Sequence, residues 1–313
     1  MKIVPQKAEL IAVQHPLRDV NPLKIVESCG RVCYRSEDKI TDDSYKDFCA
    51  KLYKMGHWAV FEHGVYTFSI NKHSFLNLCE CKGFADLYGV QYTPVNDGHY
   101  CEVSLNLSHL YQLVKWCKSL DKDSYEYHCL HVLVGSFPKE VLDLAGEKPS
   151  SYVYPLTSNI DVNSVFYTFK LTTFRSVADE LFRHRRNALN MESSRYCSYN
   201  KDKFDSSIKT CEQHWVLNKE VYKDKTESLN MKLVKYLREA EKNYLDLVNS
   251  GMRPQDARAV LPLDYCVDCC ITMSMKQFEY IYKIRTSDAA HPNIRHLLKL
   301  MKEKLDESCT TCL

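Results

Sequence analysis

Apolar and polar residues alternate along KAELIAVQH (7–15), which predicts a strand. Asn21-Pro22 then offers a cap followed by proline at the first helical position, and Ile25, Val26, Cys29, Val32 and Cys33 continue behind it as a helix. A second helix is expected from a Thr41 cap, with Tyr45, Phe48, Cys49 and Leu52 inward and Gly56 past its end. VYTFSI (65–70) and VFYTFKL (165–171) both read as strands, and their echo is too short to count as an internal repeat. Between them lie helical patterns at 74–85, 108–119 and 124–134, a strand-like CEVSLNL (101–107) and a polar loop near 148–164. Leu229, Leu233, Leu237, Ala240, Tyr244 and Leu247 keep register along a long helix expected from about Val216 to Asn249, closed by Ser250-Gly251. Pro254 starts a short helix that Pro262 stops, and the last part reads as two helices broken near Ser287 to Pro292.

The stretch RHRRNALNMESSRYCSYN (183–200) concentrates the chemistry. It follows a helical stripe made by Phe174, Val177, Ala178, Leu181 and Phe182, and four residues past Leu181 the same stripe lands on Arg185. An unpaired guanidinium on the packed side would cost several kcal/mol, so something anionic should meet it. On a helix, Arg183 and Arg185 project about 200° apart, which calls for two anionic groups, one elongated ligand or a second subunit. The Asn- and Ser-rich residues beyond suit a loop that offers N–H groups and hydroxyls to a ligand. Alternatively, cations at a helix C-terminus merely complement the macrodipole, worth about 0.3–1 kcal/mol. Arg258 also stands among apolar residues (Ala257, Ala259, Val260, Leu261), with a buried salt bridge as its bland explanation.

Composition narrows the classes. The formal net charge of +2 argues against broad nucleic-acid binding, although RHRR and 21 tyrosines keep such a module as a competing idea. No run approaches the ~18 apolar residues of a membrane span, and the N-terminus has no signal-peptide pattern, so a cytoplasmic protein is expected. The 15 cysteines are then expected to be reduced. Cys266-x-x-Cys269 and Cys309-x-x-Cys312 have zinc-ligand spacing, but the first pair lies in the apolar run YCVDCCITM and suits buried thiols better; no metal is expected.

Three blocks in order carry a family resemblance. RHR-x7-S from Arg183 to Ser193 continues to Arg195-Tyr196; GHWAVFEHGVYTFSI spans Gly56 to Ile70; and RPQDARAVLPLDY spans Arg253 to Tyr265. Together they resemble the flavin-dependent thymidylate synthases (ThyX). The resemblance implies an α+β fold, a central mostly antiparallel sheet flanked by helices, with the long helix after the RHR loop. Shorter members lead from one Thr-Phe strand almost directly into the RHR helix. Residues 72–164 are therefore an insertion, expected to extend the same sheet and add helices within one 313-residue domain, since no Gly/Ser/Pro-rich linker flanks it on both sides.

The resemblance also implies an activity: reductive methylation of dUMP to dTMP with methylene-tetrahydrofolate as carbon donor and NADPH as reductant, through FAD. By resemblance Arg183, His184 and Arg185 bind FAD, Arg183 also reaching the nucleotide of a neighbouring subunit in a homotetramer. His57 and Glu62 lie close to the flavin, and Asn190, Met191, Ser274, Lys276 and Tyr280 complete the cofactor-binding set. Ser193, Ser194, Arg195 and Arg258 hold dUMP, with Glu180 and Met191 also on the substrate. Arg285 matches the arginine that favours ionisation of the uracil ring nitrogen. Ser193 has no evident His–acid pair to activate it and is assigned to binding. Met191 stands where an acid or amide is usual, Glu180 where an amide is common, and Ser274 where Asn is usual. SDAAHPNIR after Arg285 also departs from the family pattern, leaving the role of His291 open. These departures motivate a third idea, a nucleotide-binding relative without activity.

Overall fold

The chain's first strand pairs with one some two hundred residues later: β1 (Lys2–Val4) runs parallel to β8 (Lys209–Cys211). The computed structural model describes residues 1–15, 20–94, 99–155, 164–201 and 206–310, with side chains to residue 308. In order, β2 (Lys7–Gln14), α1 (Pro22–Tyr34), α2 (Ser44–Lys54), α3 (Trp58–Phe61) and β3 (Val65–Asn71) make the first third. Then come α4 (Lys72–Glu80), α5 (Lys82–Ala85), β4 (Gln91–Pro94), β5 (Tyr100–Asn106), α6 (Leu107–Cys117), α7 (Tyr125–Val134) and α8 (Lys139–Ala145). The last part holds β6 (Phe166–Phe174), α9 (Arg175–Leu181), β7 (Ala188–Met191), β8, α10 (His214–Leu217), α11 (Thr226–Asn249), α12 (Pro254–Ala257), β9 (Cys266–Ser274), α13 (Met275–Arg285) and α14 (Pro292–Thr310).

The fold is α+β, as expected, with antiparallel sheets flanked by helices. The central sheet has the order β2-β6-β9-β7, and every pairing in it is antiparallel. Strand β9 explains the apolar run that sequence periodicity left unassigned: it is buried along its whole length, on both faces. Val267, Cys269, Ile271 and Met273 enter one core with α9, α13 and α14, while Cys270 meets Ile25, Cys29 and Val32 of α1 on the other face. Cys266 and Cys269, three apart on an extended strand, point to opposite faces, so their zinc-like spacing does not form a chelating pair. The Cys309/Cys312 pair lies outside the described side chains. Among the described residues no helix is long and apolar enough to cross a membrane.

The inserted segment does not extend the central sheet. Its strands β4 and β5 pair with β3 in a separate antiparallel sheet, order β3-β5-β4, over a second core that includes Phe68, Ile70, Val103, Leu105 and Leu110, all fully buried. Strand β3 instead meets the central sheet at the end of β2, where Gln14 joins the two by side-chain bonds in place of a strand ladder. Gln14 donates to the His63 carbonyl (2.8 Å) and accepts from the Val65 amide (2.8 Å), tying β2 to the start of β3. His63 Nδ1 meets the Thr272 hydroxyl at 2.8 Å, which in turn meets Thr168 at 2.8 Å. This buried polar chain is the joint between the two sheets.

Other boundaries differ locally. Asp43, not Thr41, precedes α2, because the Thr41 amide donates to Ser44 Oγ in a turn. The 74–85 pattern breaks at Cys81, whose backbone is extended. The long helix starts at Thr226, ten residues later than expected, since His214–Leu217 is a separate turn. Most consequentially, α9 stops at Leu181 and does not reach Arg185. The His184 amide bonds back to the Leu181 carbonyl (3.0 Å), tightening the last turn, and Ala188–Met191 then pairs with Cys269–Thr272. The free edge of β9 outcompetes helical continuation, so residues expected as a loop form a strand, and Arg183 and Arg185 sit on the turn between.

His63 is fully buried and burial pushes its imidazole down to about 4. The unfolded chain protonates it near the ordinary 6.5 while the native state does not, so the native state binds fewer protons in that window. Stability is therefore expected to fall as pH drops from about 6.5 toward 4, by about 3 kcal/mol in total from this residue. Denaturant unfolding at stepped pH checks this; His63→Gln should flatten that part of the slope.

Candidate functional site

The C-terminus of α1 anchors the signature. Arg35 follows the helix in the left-handed conformation (φ 48°), and its guanidinium bridges Glu192 (2.8 Å) and Asp268 (2.5 Å). The Glu192 side chain is fully buried and that of Asp268 nearly so. Burial lifts the Glu192 carboxyl above its ordinary range, opposed by Arg35. Carbonyls of the last two turns of α1 are met by the same segment: Asn190 Nδ2 donates to Cys29 O (3.0 Å) and the Ser193 amide to Cys33 O (3.0 Å). Residues 190–193 are thereby fixed in place. Sequence patterning alone does not single out Arg35, whose one signal is a cation placed just past a helix end.

Around this anchor, predicted residues gather in three places. In the first, Arg285 at the end of α13 reaches the end of α9: its Nε donates to His184 Nε2 (3.0 Å), and its Nη1 and Nη2 to the Glu180 carboxylate (3.0 Å) and carbonyl (3.3 Å). A guanidinium can only donate, so His184 Nε2 is unprotonated and the ring proton of the neutral imidazole sits on Nδ1. Burial, then Arg285 and Arg183, hold the His184 imidazole below its ordinary range. Tyr280 stands edge-on to the His184 ring at 6.4 Å.

In the second, Arg258 leaves the end of α12 and donates to Ser194 Oγ at 3.0 Å. Arg195 lies over the Tyr196 ring at 5.6 Å, and Tyr196 packs on Tyr34 (5.8 Å), whose hydroxyl meets His57 Nδ1 at 3.1 Å. Thus His57, from one sequence block, is linked through Tyr34 and Tyr196 to Arg195 of another. The third place is a cleft of ≈ 320 Å³ lined by Glu62, Arg185, Arg186 and Asn187 among others. Burial raises the Glu62 carboxyl, and Asn187 is buried with its Oδ1 left without a partner.

Four predicted residues are differently placed. Ser274 is fully buried and caps α13, its hydroxyl accepting the Gln277 amide. Asn190 spends its amide donor on α1, and Met191 packs against the core of the central sheet. Lys276 is exposed on the first turn of α13. The acid that sequence comparison sought at 191 stands one residue on, as Glu192, and faces inward to Arg35. The arginines consequently divide. Arg31, Arg35, Arg175, Arg253, Arg285 and Arg295 have carboxylate partners, whereas Arg183, Arg185, Arg186, Arg195 and Arg258, together with the exposed Arg238 of α11, have none among the described residues. Five uncompensated guanidiniums on two neighbouring segments can receive anions.

A family model described as thymidylate synthase complementing protein matches residues 17–79 and 162–309, and skips the segment between. Two curated proteins named flavin-dependent thymidylate synthase are similar to the chain: that of Pyrococcus furiosus at 24% identity and that of Pyrococcus abyssi at 25%, each over 131 residues. Each alignment covers 42% of this chain and 50% of the relative, so the chain spans about half the length of the curated relatives it matches.

Removing Arg35 leaves two buried carboxylates facing each other. Arg35→Ala is expected to cost about 3–5 kcal/mol in denaturant unfolding; a loss under 1 kcal/mol would mean that the bridge does not hold the segment. The His184 ring should titrate below 6.5 by NMR, and Arg285→Ala should move its midpoint upward by removing an adjacent cation.

Proposed function

The chain belongs to the thymidylate synthase complementing protein family, and on that premise we propose that it is a flavin-dependent thymidylate synthase, converting dUMP to dTMP with methylene-tetrahydrofolate as carbon donor and NADPH as reductant. The observation that carries this reading is the set of five arginines without carboxylate partners, contributed by the two sequence blocks that also carry the resemblance. The reaction needs a phosphate held, a uracil ring polarised and a flavin kept in contact, which is mainly positioning and electrostatics.

The residues fit a flavin nucleotide: Arg185 and Arg186 offer charge at the cleft, and the partnerless Oδ1 of buried Asn187 offers an acceptor to a ring N–H. When bound, FAD supplies hydride chemistry that no side chain here can provide. The chain's own part is to bind and orient. Arg258 and Ser194 are pre-joined, and the guanidinium keeps four further N–H donors for a phosphate or carbonyl. Arg285 uses three of its five N–H groups on His184 and Glu180 and keeps two for substrate. Held this way it is a fixed cation, which lowers the pKa of an adjacent ring nitrogen at about 1.36 kcal/mol per unit. Glu180, one of the departures from the usual residue, thereby acts through Arg285.

The same reading includes a homotetramer with sites shared between subunits. It is supported by α11, where Leu237 and Tyr244 are buried while Met231 and Tyr236, off that stripe, are exposed apolar side chains.

Purified protein should be yellow, or become so with added FAD, and form dTMP only when dUMP, methylene-tetrahydrofolate and NADPH are all present. Arg258→Ala should raise KM for dUMP by roughly ten- to a hundredfold, in keeping with a charge-assisted hydrogen bond. Arg285→Ala should lower kcat. Flavin-free protein that no added FAD saturates, with no dTMP formed, overturns the assignment.

A further inference from the structure

The segment that the family model skips lines one side of the cleft that holds Arg185 and Arg186. Gln91, Ser104, Asn106, Ser108 and Gln112 come from the insertion, while Phe166, Asn187 and Thr272 accompany the two arginines on the other side. The two walls are built alike. In the insertion's sheet Thr67 pairs with Ser104 across an antiparallel ladder, hydroxyl to hydroxyl at 2.9 Å. In the central sheet Thr168 pairs with Thr272 in the same manner, at 2.8 Å. Two residues beyond Ser104 the strand ends in Asn106, which caps α6 by accepting the amide of His109. Two residues beyond Thr272 the strand ends in Ser274, which caps α13 by accepting the amide of Gln277. Each threonine is followed by a fully buried phenylalanine, Phe68 and Phe169. Corresponding residues, Val65 with Phe166 and Ser104 with Thr272, both line the cleft. The short echo between VYTFSI and VFYTFKL thus marks a real structural correspondence, with like strand-to-helix units on the two sides of one cleft, as at an interface related by two-fold symmetry.

We propose that the inserted segment forms, within a single chain, the second wall of the ligand site, its Gln91, Ser108 and Gln112 touching a phosphorylated, nucleotide-type ligand whose charge Arg185 and Arg186 hold. This rests on the functional reading above and adds to it residues outside the family match. The chemistry favours that ligand class for three reasons. Two guanidiniums without carboxylate partners ask for an anion. The buried, partnerless Asn187 Oδ1 asks for a hydrogen-bond donor, and the amides of Gln91 and Gln112 can serve either role. Of the two acids on the lining, Asp86 is paired with Lys82 and burial lifts the Glu62 carboxyl toward its neutral form. At ≈ 320 Å³ the cleft sits at the low end of the roughly 300–1,000 Å³ typical of small-molecule sites, so it takes a mononucleotide-sized part and not a whole dinucleotide.

The test titrates the full chain with FMN, FAD and dUMP, following tyrosine, tryptophan or flavin fluorescence, in Gln112→Glu, Gln91→Glu and a Lys122→Ala control. The control changes net charge by the same unit at an exposed position away from the cleft lining. At least one of the three probes should bind about tenfold more weakly to both wall variants and unchanged to the control, because an added carboxylate opposes the ligand's charge. Gln112→Ala should give a smaller loss of the same sign. Thermal melting confirms that each variant is folded, and Gln112 is exposed, so its substitution leaves the core intact. If every probe binds the wall variants as tightly as the unmodified chain, the insertion does not touch the ligand and this proposal fails while the enzyme reading stands. If the unmodified chain takes up none of the three probes, the nucleotide reading falls and the proposal falls with it.

Discussion

A single guanidinium holds the architecture of the site together. Arg35 turns off the end of α1 and lies between Glu192 and Asp268, with little of any of the three side chains reaching solvent. Such a group costs more to desolvate than its attraction necessarily returns, so its value lies in geometry. It joins three elements at one point: a helix end, the segment just after β7 and the first part of β9. The carbonyls of Cys29 and Cys33 then bond the same segment from alongside. The residues from 190 to 193 cannot slide against the sheet without breaking several of these contacts at once. The ligand-facing side chains on either side of that segment inherit its rigidity, which is what a site working by positioning requires.

Charge in this protein is accordingly used in two ways. Where a guanidinium meets a carboxylate it holds elements together, as with Arg31 on Glu27 within α1. Where no carboxylate is supplied, the charge is kept available, and those positions concentrate in the turn after α9, at Arg195 and at Arg258. Arg285 belongs to both groups. Its bond to Glu180 fixes its direction, and its bond to His184 Nε2 fixes a tautomer. The depressed imidazole follows from that arrangement, since a proton on His184 would face Arg285 and Arg183.

Much of this was legible in the sequence where local rules and tertiary packing agree. Asn21-Pro22 caps α1 as its chemistry suggests, β2 follows its alternation, and Pro254 opens α12. The arginines of the site were visible because a charge amid apolar residues needs an explanation. Misreadings arose where a distant strand decided a local question. The stripe from Phe174 to Arg185 favours one continuous helix, yet β9 offers an unpaired edge that Ala188–Met191 fills. Nothing in ALNM has strong β propensity, so that strand exists through its neighbour alone. Val216 and Leu217 likewise fall within the range expected for α11 but belong to a separate turn. Asn187, Arg186 and the cleft they line were out of reach, because half of its wall comes from residues about eighty to a hundred positions earlier.

Strand β3 carries a consequence for how the chain came to be built. It lies within the region common to the family, yet among the described residues its ladder partner is β5, which lies outside that region. Splicing the ends of residues 80–161 together would strand seven residues without cross-strand bonds and strip the cover from Phe68 and Ile70, each now wholly enclosed. The added segment is therefore no appendage to a finished molecule. The matched region and the segment it brackets fold as mutual dependants, since each supplies strands to one sheet.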